Sequence, residues 1–365
     1  MIPEIKKYML ENWEKIESNH SLPRDISFLG IPGAGEGGTV TFLLFIDSKK
    51  DPIYALKIYR DDHFPLRVKT ERIVLKKLAL IPSLASTVPN LVIDKSFLGK
   101  DRTIIQNILK GEAMEVKIGA NNLPPNKMIK KHFELVNDWL IKLGENTYSN
   151  ELKKNDFHSI INTAKNIFYF SKEENRFIKK IENNINNLIS YGSVIEHGDF
   201  CRQNILMTEE SGRTIINIID WSDCKNNGIP IADLITFLAT YLLKLRKKIG
   251  VGGLIETFEF TFFQPNPYST HIWKVINKYI NHFKILIPDL PYLLGVILLR
   301  QACDDYNKLQ YASMHGTLPG FTLSLVESEK DNIEDVIKRT PWFYLFQTLV
   351  KHYKSIPSLS KNIRV

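Results

Sequence analysis

Three oxygen-bearing side chains stand at spacings that suit chemistry on a hydroxyl group. Asp199 and Asn204 lie five residues apart in Ile195-Glu196-His197-Gly198-Asp199-Phe200-Cys201-Arg202-Gln203-Asn204-Ile205-Leu206, between hydrophobic runs. That is the spacing of a catalytic loop, in which the aspartate accepts a hydroxyl proton and the asparagine offers its amide oxygen to a metal ion. Sixteen residues on, Ile218-Ile219-Asp220-Trp221 places a second carboxylate at the end of a strand-like run. Asp220 is the natural main ligand for hard Mg2+, which prefers oxygen donors. Taken alone, each of these residues is also an ordinary turn or cap former.

Upstream, Gly33-Ala34-Gly35-Glu36-Gly37-Gly38-Thr39-Val40 fits G-x-G-x-x-G-x-V. In a dinucleotide fold such glycines open a helix. Here Gly33, Gly35 and Gly38 lead into TVTFLLFI (39–46), a strand pattern. A glycine flap between two strands can lay backbone amides over phosphates; a plain turn is the bland alternative. Lys57 follows in the next strand pattern, where alternation puts Ile53, Ala55, Lys57 and Tyr59 on one face. A lysine among apolar neighbours needs an anion or must snorkel outward. Glu71 favours the first option, because it shares a helical stripe with Val68, Leu75 and Leu78. A carboxylate in an apolar stripe is costly unless paired, and Lys57 is its obvious partner.

The elements that must position these groups fall into two sets. Residues 1–19 read as one amphipathic helix, with Ile5, Met9, Trp13 and Ile16 near helical spacing. Strand patterns follow at 39–46, 53–60, 91–97 and 102–109, and a helix at 65–79, giving a sheet of roughly five strands with one helix. After Gly111 the pattern becomes mostly helical. Ile129, Phe133, Val136, Leu140 and Leu143 step at helical spacing, with Gly144 placed to end the helix. A second helix covers 173–190, short strands return over 193–221, and 230–355 is largely helical. The boundary falls near residue 110. The segment MTEESGRT between the two candidate metal ligands reads as an extended hairpin.

The pattern H-G-D-x-x-x-x-N followed by I-D-W resembles the aminoglycoside phosphotransferase and choline kinase superfamily of small-molecule kinases. The matching motifs run from about 30 to 235. The resemblance implies an α+β, bilobal, protein-kinase-like fold. Residues 1–110 form its N-lobe, a small antiparallel sheet with one helix. Residues 111–365 form its larger, mainly helical C-lobe, with the catalytic loop at 195–206, the metal-binding strand end at 218–221 and an acceptor-binding region over 230–365. It also implies roles. Gly33 to Gly38 form the phosphate flap, Lys57 the phosphate clamp and Glu71 its partner. Gln106 to Ile108 form the hinge facing adenine, and Asp199 is the base. Asn204 and Asp220 hold Mg2+, and Asp233 braces the catalytic loop. ATP is the expected donor, with GTP open because Asn107 stands where many relatives carry an acid.

Other residues read more plainly. His197 is a brace for the loop, and Cys201 a packed, inert thiol. Lys244, Arg246, Lys247 and Lys248 suit a helix C-terminus, while Asp223 and Cys224 find no role. Two other readings compete. A protein kinase is disfavoured because Gly198 replaces the arginine of H-R-D, and no D-F-G or A-P-E segment occurs. A catalytically silent nucleotide-binding regulatory module is disfavoured because every catalytic element is present.

Composition bounds the rest. The 365 residues are 44% hydrophobic and 24% charged, with net charge +8 and three cysteines. That excludes a disulfide scaffold and does not call for nucleic acid. The first residues carry charge throughout, and the longest uncharged apolar run, 290–299, is about half a membrane span. A cytoplasmic enzyme without membrane or nucleic-acid partners is expected, with no basis for an oligomeric state. The acceptor is expected to be a hydroxyl of a metabolite, sugar derivative or antibiotic. A neutral or weakly charged molecule is favoured over a polycation, which needs converging carboxylates. Core packing is the expected role for most of Phe258, Phe260, Phe262, Phe263 and Tyr268.

Overall fold

The computed structural model describes residues 1–17, 21–31, 39–47, 49–59, 65–93, 97, 102–120, 125–246, 250–314, 338 and 340–361. The glycine flap Gly33, Gly35 and Gly38 lies outside the described residues, as do Lys247 and Lys248. The chain divides into two compact units. One is Met1–Gly111 with Asn217–Cys224; the other is Glu112–Ile216 with Lys225–Val365.

In the first unit, β1 (Ile26–Ile31), β2 (Thr39–Ile46), β3 (Tyr54–Tyr59), β4 (Leu91–Ile93) and β5 (Thr103–Asn107) form a five-stranded antiparallel sheet. Its order is β1-β2-β3-β5-β4. Alternation divides the side chains between two faces. Leu44, Ile46, Tyr54, Leu56 and Ile105 pack against Ile5 and Met9 of α1 (Ile2–Glu11) and Trp13 of α2 (Trp13–Ile16). Tyr59 and Ile104 pack on the opposite face with Val68 of α3 (Pro65–Ala79). Burial of such side chains stabilises by about 2 kcal/mol each. The single helix expected over 1–19 is broken at Asn12. The Asn12 side-chain amide donates to the Tyr8 carbonyl at 3.0 Å, the same carbonyl its backbone N–H uses. Asparagine offers such local bonds in competition with the helix.

The second unit contains β6 (Glu112–Ala113), α4 (Met114–Ala120), α5 (Pro125–Thr147), α6 (Lys154–Ile167), α7 (Lys172–Ile189), β7 (Val194–Glu196) and β8 (Ile205–Glu210). Then come β9 (Arg213–Ile218), which runs back into the first unit, β10 (Lys225–Gly228), α8 (Ala232–Leu245), α9 (Leu254–Phe258), α10 (Pro267–His282), α11 (Leu290–Met314), α12 (Pro341–His352) and α13 (Ile356–Lys361). Gly144 does not end α5, which continues to Thr147. A Cβ there would stand 2.4 Å from the Phe283 ring, so this glycine serves close approach. α6 escaped the sequence pattern; it buries only Phe157, Ile161 and Ala164. The apolar run 290–299 opens α11, which packs against α6, α7, α8 and α12. An apolar helix enclosed by other helices needs no membrane, and no described helix is long and apolar enough to cross one. β8 and β9 form the hairpin, turning at Ser211 and Gly212 with φ of 50° and 75°, the backbone of a two-residue hairpin turn.

Candidate active site

In the first unit, β3 and α3 bring Lys57 and Glu71 together as the stripes predict, with Lys57 Nζ 2.8 Å from Glu71 Oε1. The same nitrogen lies 2.8 Å from Asp220 Oδ1. Burial works against the ammonium, but the charges of Asp220 and Glu71 outweigh it and hold Lys57 above its ordinary pKa. Tyr59, two residues along the same strand face, donates its hydroxyl to Glu71 Oε2. Burial, then the Glu71 charge, keep that phenol protonated. Both Glu71 oxygens are therefore occupied. Asp220 has a left-handed backbone, φ 63°, an uncommon conformation for a residue with a side chain. The fully buried Trp221 beside it donates its indole N–H to the Ile218 carbonyl at 3.2 Å, closing that turn. Asp223 gains a role: it ion-pairs with Arg67 in the first turn of α3.

Gln106 stands opposite Ala55 in the β3–β5 register, hence on the Lys57 face, with its Oε1 buried and without a hydrogen-bond partner. The Ile108 N–H donates to the Ile53 carbonyl at 3.2 Å. Asn107, where an acid was a usual alternative, accepts the Asn90 N–H on its side-chain oxygen at 2.7 Å.

In the second unit, the Asp199 N–H donates to His197 Nδ1 at 3.3 Å, which makes that nitrogen an acceptor. His197 is thus the brace its position suggested. Asn204 Nδ2 donates to the Asp199 carbonyl at 2.9 Å and to Asp199 Oδ2 at 3.0 Å. The amide nitrogen is thus spent on the loop. Asp233 accepts the His197 N–H at 2.7 Å and the Gly198 N–H at 3.1 Å. Burial pushes Cys201 up to about 12, helped by the Asp199 charge, so its thiol is inert. Cys303 is likewise pushed up to about 12 by burial, and Cys224 is buried too. Lys244 pairs with Glu115 at 3.1 Å rather than simply facing the end of its helix.

Sequence reasoning missed Tyr59, Arg67, Glu196, Arg300 and Gln301 as participants. Glu196 is buried next to His197, and Arg300 of α11 pairs with it. A signal existed: an acid inside the strand run SVIEHGD and an arginine closing VILLR both imply a hidden partner.

No group of three or more histidine, cysteine or acidic side chains able to hold a metal occurs among the described residues. A carboxylate and an amide oxygen still suit Mg2+, which is commonly held by one or two protein oxygens with phosphates and water. Asp220 in the first unit carries such a carboxylate, and Asn204 in the second carries such an amide.

No protein-family model matches the sequence, and no curated protein is similar to it in sequence. Solved structures are similar. A protein from Ralstonia eutropha JMP134, described as a candidate aminoglycoside phosphotransferase, aligns over 93% of this chain and 98% of its own. The TM-score is 0.58 at 14% identity. The fold is that of the aminoglycoside phosphotransferases. A thermostable mutant of the aminoglycoside phosphotransferase APH(4)-Ia, in ternary complex with AMP-PNP and hygromycin B, aligns over 94% of this chain and 98% of its own. Its TM-score is 0.50 at 12% identity. The α+β phosphotransferase fold accounts for the order of elements here: sheet with α3, then helices, then the 195–221 strands.

Proposed function

We propose that the protein is a small-molecule kinase that moves the γ-phosphoryl group of ATP, or of GTP, to a hydroxyl. The reading rests above all on Lys57, whose ammonium is fixed 2.8 Å from both Glu71 and Asp220. An ammonium oriented by two carboxylates is prepared to meet a further anion, and nucleotide phosphates are the anion this fold family handles. Gly33, Gly35 and Gly38 cover those phosphates in this reading, and Gln106 and Ile108 face the base.

Asp199 then accepts the acceptor's hydroxyl proton as that oxygen bonds to the γ-phosphorus and the bond to the bridging oxygen breaks. Asn204 holds the Asp199 carboxylate toward the acceptor. The Asp220 carboxylate and the Asn204 oxygen would hold Mg2+, which when bound neutralises phosphate charge. Most of the rate comes from positioning and electrostatics, because the transfer itself asks for little covalent chemistry of the protein.

The acceptor in this reading is a neutral or weakly charged hydroxylated metabolite or sugar derivative. The net charge of +8 supports this, and Asp304, an acid that could attract a cation, is matched by Lys225 at 3.3 Å. Phe258, Phe262 and Phe263 are buried, so they pack the core; Phe260 and Tyr268 are half-buried. The stretch Glu327–Asp335 lies outside the described residues. The test is an acceptor screen with labelled ATP across sugars, nucleosides, amino alcohols, macrolides and aminoglycosides. Transfer to one class, abolished in Asp199→Asn, is expected. Absence of transfer to any hydroxyl compound would refute the kinase reading, and efficient aminoglycoside phosphorylation would refute the charge argument.

A further inference from the structure

Residues 196–198, which lead into Asp199, are tied to neighbouring elements by three side chains, those of Glu196, Asp233 and Gln301. Glu196 Oε2 accepts the Ile229 N–H at 3.1 Å, joining β7 to the end of β10. Asp233 on α8 accepts the His197 and Gly198 N–H groups. Gln301 on α11 donates to the Gly198 carbonyl at 3.4 Å and to Thr236 Oγ1 at 3.2 Å. Gly228 makes room for this, since a Cβ there would stand 2.2 Å from the Glu196 Cβ. Two of the three grips are buried carboxylates, and buried charges of one sign oppose each other unless a cation is present. Arg300, the residue before Gln301, supplies it by pairing with Glu196 Oε1. The Arg300 Nε is buried without a hydrogen-bond partner, so this guanidinium is kept despite an unmet donor.

We infer that Arg300 is a positioning residue for Asp199: its charge keeps the Asp233 carboxylate able to hold the His197 and Gly198 backbone, and the Glu196 carboxylate able to tie the start of the loop to Ile229. The catalytic readout of this inference rests on the kinase reading; its exchange readout does not.

The groups facing Asp233 are Glu196 of β7, His197 and Gly198 of the loop, Arg300 of α11 and Tyr279 of α10. Burial, then the Glu196 charge, push Asp233 up to about 7, while the His197 and Gly198 N–H groups and Arg300 oppose the rise. An ionised Asp233 accepts through both oxygens. A protonated one turns one oxygen into a donor and weakens a grip. Loss of Arg300 therefore moves loop loosening to higher pH.

The experiment compares wild type, Arg300→Met, Arg300→Lys and the double variant Arg300→Met/Glu196→Gln. kcat, KM for ATP and their pH profiles are measured with the acceptor found in the screen. Amide hydrogen exchange of the 195–206 peptide is measured from pH 5 to 8 without any substrate. Arg300→Met should lower kcat about 10²-fold, with KM for ATP changed less than about threefold, because misplacement of a reacting group costs about that much. The acid limb of kcat should rise by about one pH unit, the lower end of what loss of a nearby opposite charge does. Exchange at 195–206 should quicken over the same pH range. Arg300→Lys should fall between. The double variant should recover, because a glutamine oxygen still accepts from Ile229 and one buried charge is gone. Wild-type exchange with an unshifted limb in Arg300→Met would overturn the inference, as would a double variant no better than the single one. Should Arg300→Met fail to fold, the double variant decides: folding with wild-type exchange supports a charge role, and failure to fold shows that Arg300 matters for packing. Should the screen find no acceptor, the kinase reading falls and the exchange comparison still tests Arg300.

Discussion

Each unit places two carboxylates around one cation, and the two clusters differ in access to water. In the first, Lys57 meets Glu71 and Asp220, and the Asp220 side chain is 46% exposed. In the second, Arg300 meets Glu196 with Asp233 beside them, and the side chains of Arg300 and Glu196 are 9% and 1% exposed. The choice of cation follows. A lysine is a compact point charge that can share itself with an arriving anion, whereas arginine suits a permanent buried pair. The open cluster can exchange partners with a ligand; the sealed one can only hold backbone. Similar charge arithmetic thus suits binding in one place and scaffolding in the other.

The largest expected effect tests what the sealed cluster is for. Asp199→Asn should lower turnover about 10²–10⁴-fold, the usual loss when a general base is removed. Isothermal calorimetry should find nucleotide affinity nearly unchanged. A variant retaining most of its turnover would mean that the scaffold holds something other than the base.

Next is Lys57→Met, which leaves the Glu71 charge buried against the Tyr59 hydroxyl. Urea unfolding should show a loss of about 3 kcal/mol, as for other broken buried pairs. Lys57→Met/Glu71→Leu should recover much of it. Equal stability in both variants would mean that the pair is not a buried charge pair in solution.

Gly228→Ala probes the sealed cluster sterically. The added methyl meets Glu196, and overpacking of this kind costs about 1–3 kcal/mol, with turnover falling as well. Asp220→Ala should cost about 1–2 kcal/mol, because alanine is strained at a φ of 63° and buried Lys57 keeps only Glu71. It should weaken Mg2+-dependent nucleotide binding about tenfold or more, equivalent to ~1.4 kcal/mol. Asn204→Ala, which removes no charge, should do less.

The smallest effect is a slope. Asp233 has a folded pKa above its unfolded value, so the native state binds this proton more tightly. Its contribution to stability is fully present below about pH 4 and lost as pH rises through about 7. Asp233→Asn should remove that component from a plot of stability against pH. An unchanged plot would show that the sealed cluster carries no such proton.

The pairing of Lys57 with Glu71 was legible because each charge interrupts a periodic apolar pattern. Glu196 and Arg300 interrupt apolar runs in the same way, yet they lie in segments joined only by the tertiary fold. No spacing rule connects them. Arg67 with Asp223 is harder still, since both read as surface charges until α3 and the segment after Asp220 meet. Strands β2 to β5, β7 to β9 and α3 were readable from alternation and from their flanking turns, whereas β1, β6 and β10 were not placed. The break at Asn12, the continuation of α5 through Gly144 and the narrow apolar face of α6 were not. Each depends on one local hydrogen bond, one neighbouring ring or a face only three residues wide.

The buried cysteines have a practical consequence. Cys201, Cys224 and Cys303 are all hidden, and burial pushes two of them far above the pH of labelling reactions. A maleimide dye or spin label would pass over them. A cysteine introduced at Leu80 or Tyr169, which are 83% and 90% exposed, would be the thiol that reacts. Fluorescence or spin-resonance probes can therefore be attached to either unit without first removing the native cysteines.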